Sequence, residues 1–116
     1  MLSDRRIPES EEFAVAVHDR GTTTVVEVSG ELDIATSPIL EERIAAAILD
    51  EPETVVIDLS SVGFMDSTAV SLLVRVAARA QAHGVRLLVI QPHGPAAQVL
   101  DVCRLGEHLP IIDGAG

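Results

Sequence analysis

Asp58-Leu59-Ser60-Ser61-Val62-Gly63-Phe64-Met65-Asp66-Ser67-Thr68-Ala69 decides how this chain is read. The run from Thr54 to Leu59 that leads into it is short, apolar and rich in β-branched residues. It reads as a central strand covered on both faces or nearly so. A short turn is expected after Leu59, and a helix after Met65. Two hydroxyls and a carboxylate (Ser67, Thr68 and Asp66) stand where that helix begins. A helix N-terminus carries unpaired N–H groups and partial positive charge, which suits a side-chain cap or a phosphate. The plain reading is a cap; the sharper one is a phosphorylation switch.

Downstream, Ala69, Leu72, Leu73, Val76, Ala77 and Ala80 recur at helical spacing. Ser71, Arg75 and Arg79 line up on a different, solvated face. Gly84 is placed to end the helix as the residue beyond its C-cap. Val85 to Ile90 is another apolar strand run. Pro92, Gly94 and Pro95 make a loop, and Ala96, Val99, Leu100 and Cys103 suit a shorter helix closed by Gly106. Leu109 to Ile112 is expected as a last edge strand, since Pro110 lacks the donor a central strand needs.

Upstream, Phe13, Val15 and Val17 alternate as a first strand, and Thr22 to Ser29 makes a second, joined through a turn at Gly21. Gly30 is expected to end that strand, with Leu32 packed beneath the following turn. Thr36 or Ser37 should cap a helix with Pro38 in its first turn, where a missing N–H costs nothing. Leu40, Ile44, Ala47 and Ile48 form its apolar stripe, and the helix should end near Asp50. The order ββαβαβα, with a final β, argues for one α/β domain with a mixed sheet, parallel except for the opening hairpin. Residues 1–12 read as a flexible N-terminal arm.

Composition excludes several classes. The chain has 116 residues, which suits one domain, and 47% of them are apolar, too many for a disordered chain. No apolar run approaches the roughly 20 residues of a membrane span, and the polar start shows no signal-peptide pattern; a cytoplasmic protein is expected. The net charge of −10 and the presence of only two aromatic residues, Phe13 and Phe64, oppose nucleic-acid and membrane-surface partners. Cys103 is the only cysteine, read as a small core filler, and the four histidines have no metal-site spacing. Neither GxGxxG nor GxxxxGK[ST] occurs, so no cofactor is expected. Ser67 sits at a strand-to-helix turn, as a hydrolase nucleophile does. Its flanks, however, are Met65 and Ala69 in place of glycines, and neither His93 nor His108 has a recognisable catalytic context. Asp33, Asp58 and Asp66 read as loop carboxylates or caps, and the chain is not expected to be an enzyme.

Gly30-Glu31-Leu32-Asp33 after the second strand and Phe64-Met65-Asp66-Ser67-Thr68-Ala69 after the third together resemble the STAS domain family, and within it the bacterial anti-sigma factor antagonists. The likeness runs from about Phe13 to Ile112 and places the domain at residues 13–116. It implies a mixed sheet of four to five strands with helices mainly on one side. It also implies partner switching: the antagonist binds an anti-sigma factor that is a Ser/Thr kinase and so frees a sigma factor. Phosphorylation of the Ser after the motif Asp, here Ser67, releases it, and a Ser/Thr phosphatase resets it. Asp33 matches a family position near the acceptor at the binding surface. Ala69 departs from the Gly usual in the family. Asp33, Phe64, Met65, Asp66, Ser67, Thr68, Ser71 and Arg75 are the candidate partner surface. The alternative is a STAS domain that is never phosphorylated, serving as a scaffold or a small-ligand sensor.

Overall fold

A computed structural model describes residues 13–107 and 109–112. The strands are β1 (Ala14–Arg20), β2 (Thr23–Leu32), β3 (Thr54–Met65), β4 (Arg86–Ile90) and β5 (Ile111–Ile112). The helices are α1 (Ser37–Leu49), α2 (Ser67–Ala82) and α3 (Pro95–Val102), followed by a 3-10 turn at Leu105–Glu107. The five strands form one sheet in the order β1-β2-β3-β4-β5. Among the described residues only the β1–β2 hairpin is antiparallel. The expected arm and His108 lie outside the described residues.

From β2 onward each strand pairs with the next through a crossover that steps in the same direction. Crossovers of one hand then place their helices on one side of the sheet. Val26, Ile57 and Val89 stand in one row on the covered face and are fully buried. Val25, Val56 and Leu88 form the adjacent row on the opposite face and are only half-buried. Leu40, Ile44 and Ile48 of α1, and Leu72, Leu73 and Val76 of α2, complete the core. Residues spaced in this way bury one stripe of each helix, and burying each large side chain contributes about 1.5–3 kcal/mol.

Several expectations change in detail. β3 does not end at Leu59; it continues to Met65. Two register shifts against β2 fall in that extension, one between Glu27 and Ser29 and one between Gly30 and Glu31. Each inserts an extra residue in β3, as a β-bulge does. Inward-facing positions therefore move from Val55, Ile57 and Leu59 to Val62 and then Met65. β2 likewise runs past Gly30 to Leu32, with Gly30 at φ 95° beside the second shift. That positive φ is open to glycine at little cost.

Phe13 and Val15 pack on the core, but Val17 is exposed on the edge strand. Gly84, at φ 71°, follows the C-cap His83 as expected. Cys103 is no core filler: α3 stops at Val102, and Cys103 is its exposed C-cap. The left-handed residue after it is Arg104, at φ 55°, so Gly106 does not close that helix.

Candidate functional site

β2 and β3 run in parallel to their last residues, where Leu32 pairs with Met65, and the Asp66 N–H donates to Leu32 O at 3.3 Å. The two motifs thus leave the sheet side by side at the same end of adjacent strands. Leu32 and Met65 are both buried and anchor the two turns from below.

Asp33 organises the first turn. Its Oδ1 accepts from the N–H groups of Ala35 (3.0 Å) and Thr36 (3.1 Å). The Thr36 hydroxyl accepts from Asp33 N at 2.9 Å and donates to Glu31 O at 2.9 Å. Thr36 is the N-cap of α1 but makes no side-chain cap bond, because its hydroxyl is spent on this turn. Pro38 lies in the first turn, as expected. Asp58, farther back on β3, accepts from the backbone N–H (2.9 Å) and hydroxyl (2.6 Å) of Ser60.

Asp66, with extended backbone (φ −122°, ψ −171°), is the N-cap of α2. Its carboxylate accepts from Thr68 N at 3.0 Å and from the Thr68 hydroxyl. Ser67 is therefore not the cap. It is the first helical residue, it is exposed, and among the described residues no hydrogen bond engages its hydroxyl. Replacing Asp66 with Ala removes the cap and should lower stability by about 0.5–2 kcal/mol, read from urea unfolding; an unchanged midpoint would show that water replaces it fully.

The remaining candidates separate by burial. Phe64 is 48% exposed and Met65 only 2%, so of this apolar pair Phe64 alone presents its side chain to solvent. Val62 is buried as well. Ala69 is fully buried, so its methyl faces the core and does not crowd an approach to Ser67. Ser71 and Arg75 lie on the exposed face of α2.

Arg75 reaches across to α1, where its Nε and Nη2 donate to the two carboxylate oxygens of Glu41 at 2.9 and 2.8 Å. Ile34, Ser37, Pro38, Glu41, Thr68, Ser71 and Arg75 line a cleft of about 340 Å3 between the starts of the two helices. Sequence reasoning missed Ile34, which is 74% exposed, and the clefted roles of Ser37 and Glu41. An isoleucine in a polar turn was the available signal.

The hydrogen bonds from Arg75 hold the Glu41 carboxyl below its ordinary value of 4.5. A lowered folded-state value means that the pair stabilises above the unfolded value and that this contribution disappears as pH falls through the folded one. Glu41→Gln should accordingly cost under about 1 kcal/mol at neutral pH, as exposed pairs do. The gap from the wild type should close below pH 4.5, as unfolding midpoints measured across that range will show. A gap independent of pH would mean that packing, and not charge, links the helices here.

Among the described residues no group of side chains has metal-binding geometry, and no helix is long and apolar enough to cross a membrane. The model of the STAS domain family matches residues 14–114. The anti-sigma-F factor antagonist RsfA of Mycobacterium tuberculosis is 26% identical over 106 residues, which is 90% of this chain and 83% of RsfA. The crystal structure of an anti-sigma factor antagonist from Mycobacterium paratuberculosis superposes with a TM-score of 0.79 at 30% identity, covering 90% of this chain and 89% of that one. The Bacillus cell fate determinant SpoIIAA in its phosphorylated form shares the fold, with a TM-score of 0.65 at 22% identity, covering 88% of this chain and 94% of that one.

Proposed function

Because the chain belongs to the STAS domain family, we propose that it is an anti-sigma factor antagonist switched by phosphorylation of Ser67. In this reading its unmodified form binds an anti-sigma factor that is also a Ser/Thr kinase, and so releases a sigma factor. A Ser/Thr phosphatase restores the binding form. The domain acts by binding and carries out no catalysis of its own.

The observation that carries the reading is the state of Ser67. Its hydroxyl is exposed and uncommitted at the first position of α2, while Thr68 beside it is half-buried and bonded to Asp66. Of these two neighbouring hydroxyls, Ser67 is the one a kinase meets unengaged. The names of RsfA and of the Mycobacterium paratuberculosis structure support the same role.

The surface offered to the partner is Ser67 with Phe64, Ile34, Ser71 and Arg75 around it; Met65 contributes from beneath. Asp33 and Asp66 shape the two turns through the hydrogen bonds their carboxylates accept. The test is calorimetric titration of the purified chain against the anti-sigma factors of its own cell, before and after incubation with ATP. Binding that ATP abolishes supports the switch; binding that ATP leaves unchanged favours the scaffold alternative.

A further inference from the structure

The helices lie on one side of the sheet, and Val25, Val56 and Leu88 on the other side are only half-buried. Yet β2 to β5 pair in parallel, and a parallel sheet is ordinarily covered on both faces. The strand registers show what the open face presents. One row across β1 to β4 is Arg20, Thr23, Thr54 and Arg86. The next is His18, Val25, Val56 and Leu88, and the third is Ala16, Glu27, Asp58 and Ile90. The face is banded: a basic row, an apolar row and an acidic row.

The outer bands are not matched within the chain. Among the described residues neither Arg20 nor Arg86 has a side-chain hydrogen bond or ion pair, and both are exposed. Glu27 meets His18 through Oε1 at 3.2 Å, and Asp58 holds Ser60 through Oδ1. The basic and acidic rows lie four residues apart along each strand, about 13 Å at about 3.3 Å per residue.

A second copy laid face to face brings the two bands together. Sheets stack about 10 Å apart, and a two-fold axis along the apolar row makes the contact isologous. Val25, Val56 and Leu88 then stand on their own counterparts, and the basic row lies over the acidic row. Arg20 comes one strand, about 4.8 Å sideways, from Glu27 of the second copy, and Arg86 the same from its Asp58. A two-fold axis along the strands would instead lay arginine row on arginine row, which like charge opposes. Charge thus selects the axis that crosses the strands. The strands of the two copies then run antiparallel, so the two Ser67 turns point away from each other at opposite ends.

We propose that the open face of the sheet binds a second copy of this chain as a two-fold dimer. Val25, Val56 and Leu88 form its centre, and Arg20–Glu27 and Arg86–Asp58 pairs between copies form its rim. The proposal is independent of the Ser67 switch.

Sedimentation equilibrium from micromolar to millimolar loading tests it. The wild-type chain is expected to reach twice its 12.3 kDa mass. Arg20→Glu and Glu27→Arg each place like charges across the axis twice, and each is expected to raise the dissociation constant at least about tenfold. The chain carrying both changes is expected to regain the wild-type constant, because the swapped charges meet again only between copies. A monomer at every concentration would leave the face to another segment or another protein and overturn the proposal. A dimer that neither single change weakens would place the contact elsewhere and overturn it too, as would a double variant that stays as weak as the single ones.

Discussion

Phosphate on Ser67 is expected to weaken binding of the anti-sigma factor by about thirtyfold to several-thousandfold. A phosphoserine adds about −1.5 to −2 charge and three strong acceptors. In the free domain this group sits in water at a helix N-terminus, where negative charge is tolerated. Asp66, one residue away, opposes it with the carboxylate that already caps α2. At an interface the same phosphate loses its water. If no cation meets it, the unpaired charge costs about 2–5 kcal/mol, which sets the fold-range above. Glu41 already balances the charge of Arg75 and holds two of its donors. Ser67→Asp should reproduce part of the loss, and Ser67→Ala should bind like the unmodified chain. Because Asp66 and not Ser67 caps α2, both variants should unfold near the wild-type midpoint. Equal affinity of the two for the anti-sigma factor would defeat the account.

Leu32→Ala should destabilise the fold by about 2–5 kcal/mol, the range for deleting a fully buried leucine side chain with partial collapse of the cavity. Leu32 is 0% exposed and pairs with Met65 at the point where both motif strands end. Its carbonyl also holds the Asp66 N–H. The lost volume lies directly under the two turns, so the variant should lower stability and loosen the site together. Urea unfolding gives the first effect, and faster amide exchange at Asp66 to Thr68 relative to the centre of α2 gives the second. A loss below about 1 kcal/mol would mean that the turns close over the gap without strain.

Much of the fold was legible because periodicity carried it. The stripe from Ala69 to Ala80 and that from Leu40 to Ile48 are buried nearly as spaced, and only Ala77 is left half-exposed. The mixed sheet followed from strands separated by helices after an opening hairpin. The errors lie where period 2 breaks. Two bulges shift β3 against β2, so alternation read from Val55 gives no guide to Val62, Phe64 or Met65. A bulge is a property of a strand pair, and one strand's sequence does not display it. The cap at Asp66 rather than Ser67 is a related case. Three consecutive residues all suit a helix start, and only backbone geometry distinguishes the extended cap from the first helical residue. The Glu41–Arg75 pair and the cleft it closes depend on how α1 meets α2, a contact between residues far apart in sequence. Cys103 misled for a simpler reason: α3 ends just before it, so the stripe it would have joined does not continue.

The central claim is that Ser67 is the switch. Its most direct test is phosphopeptide mapping by mass spectrometry of the chain isolated from its own cells under resting and stress conditions. The account predicts phosphate on Ser67, at an occupancy that changes with condition. Ser67 unmodified in every condition, or phosphate confined to Thr68, would contradict it.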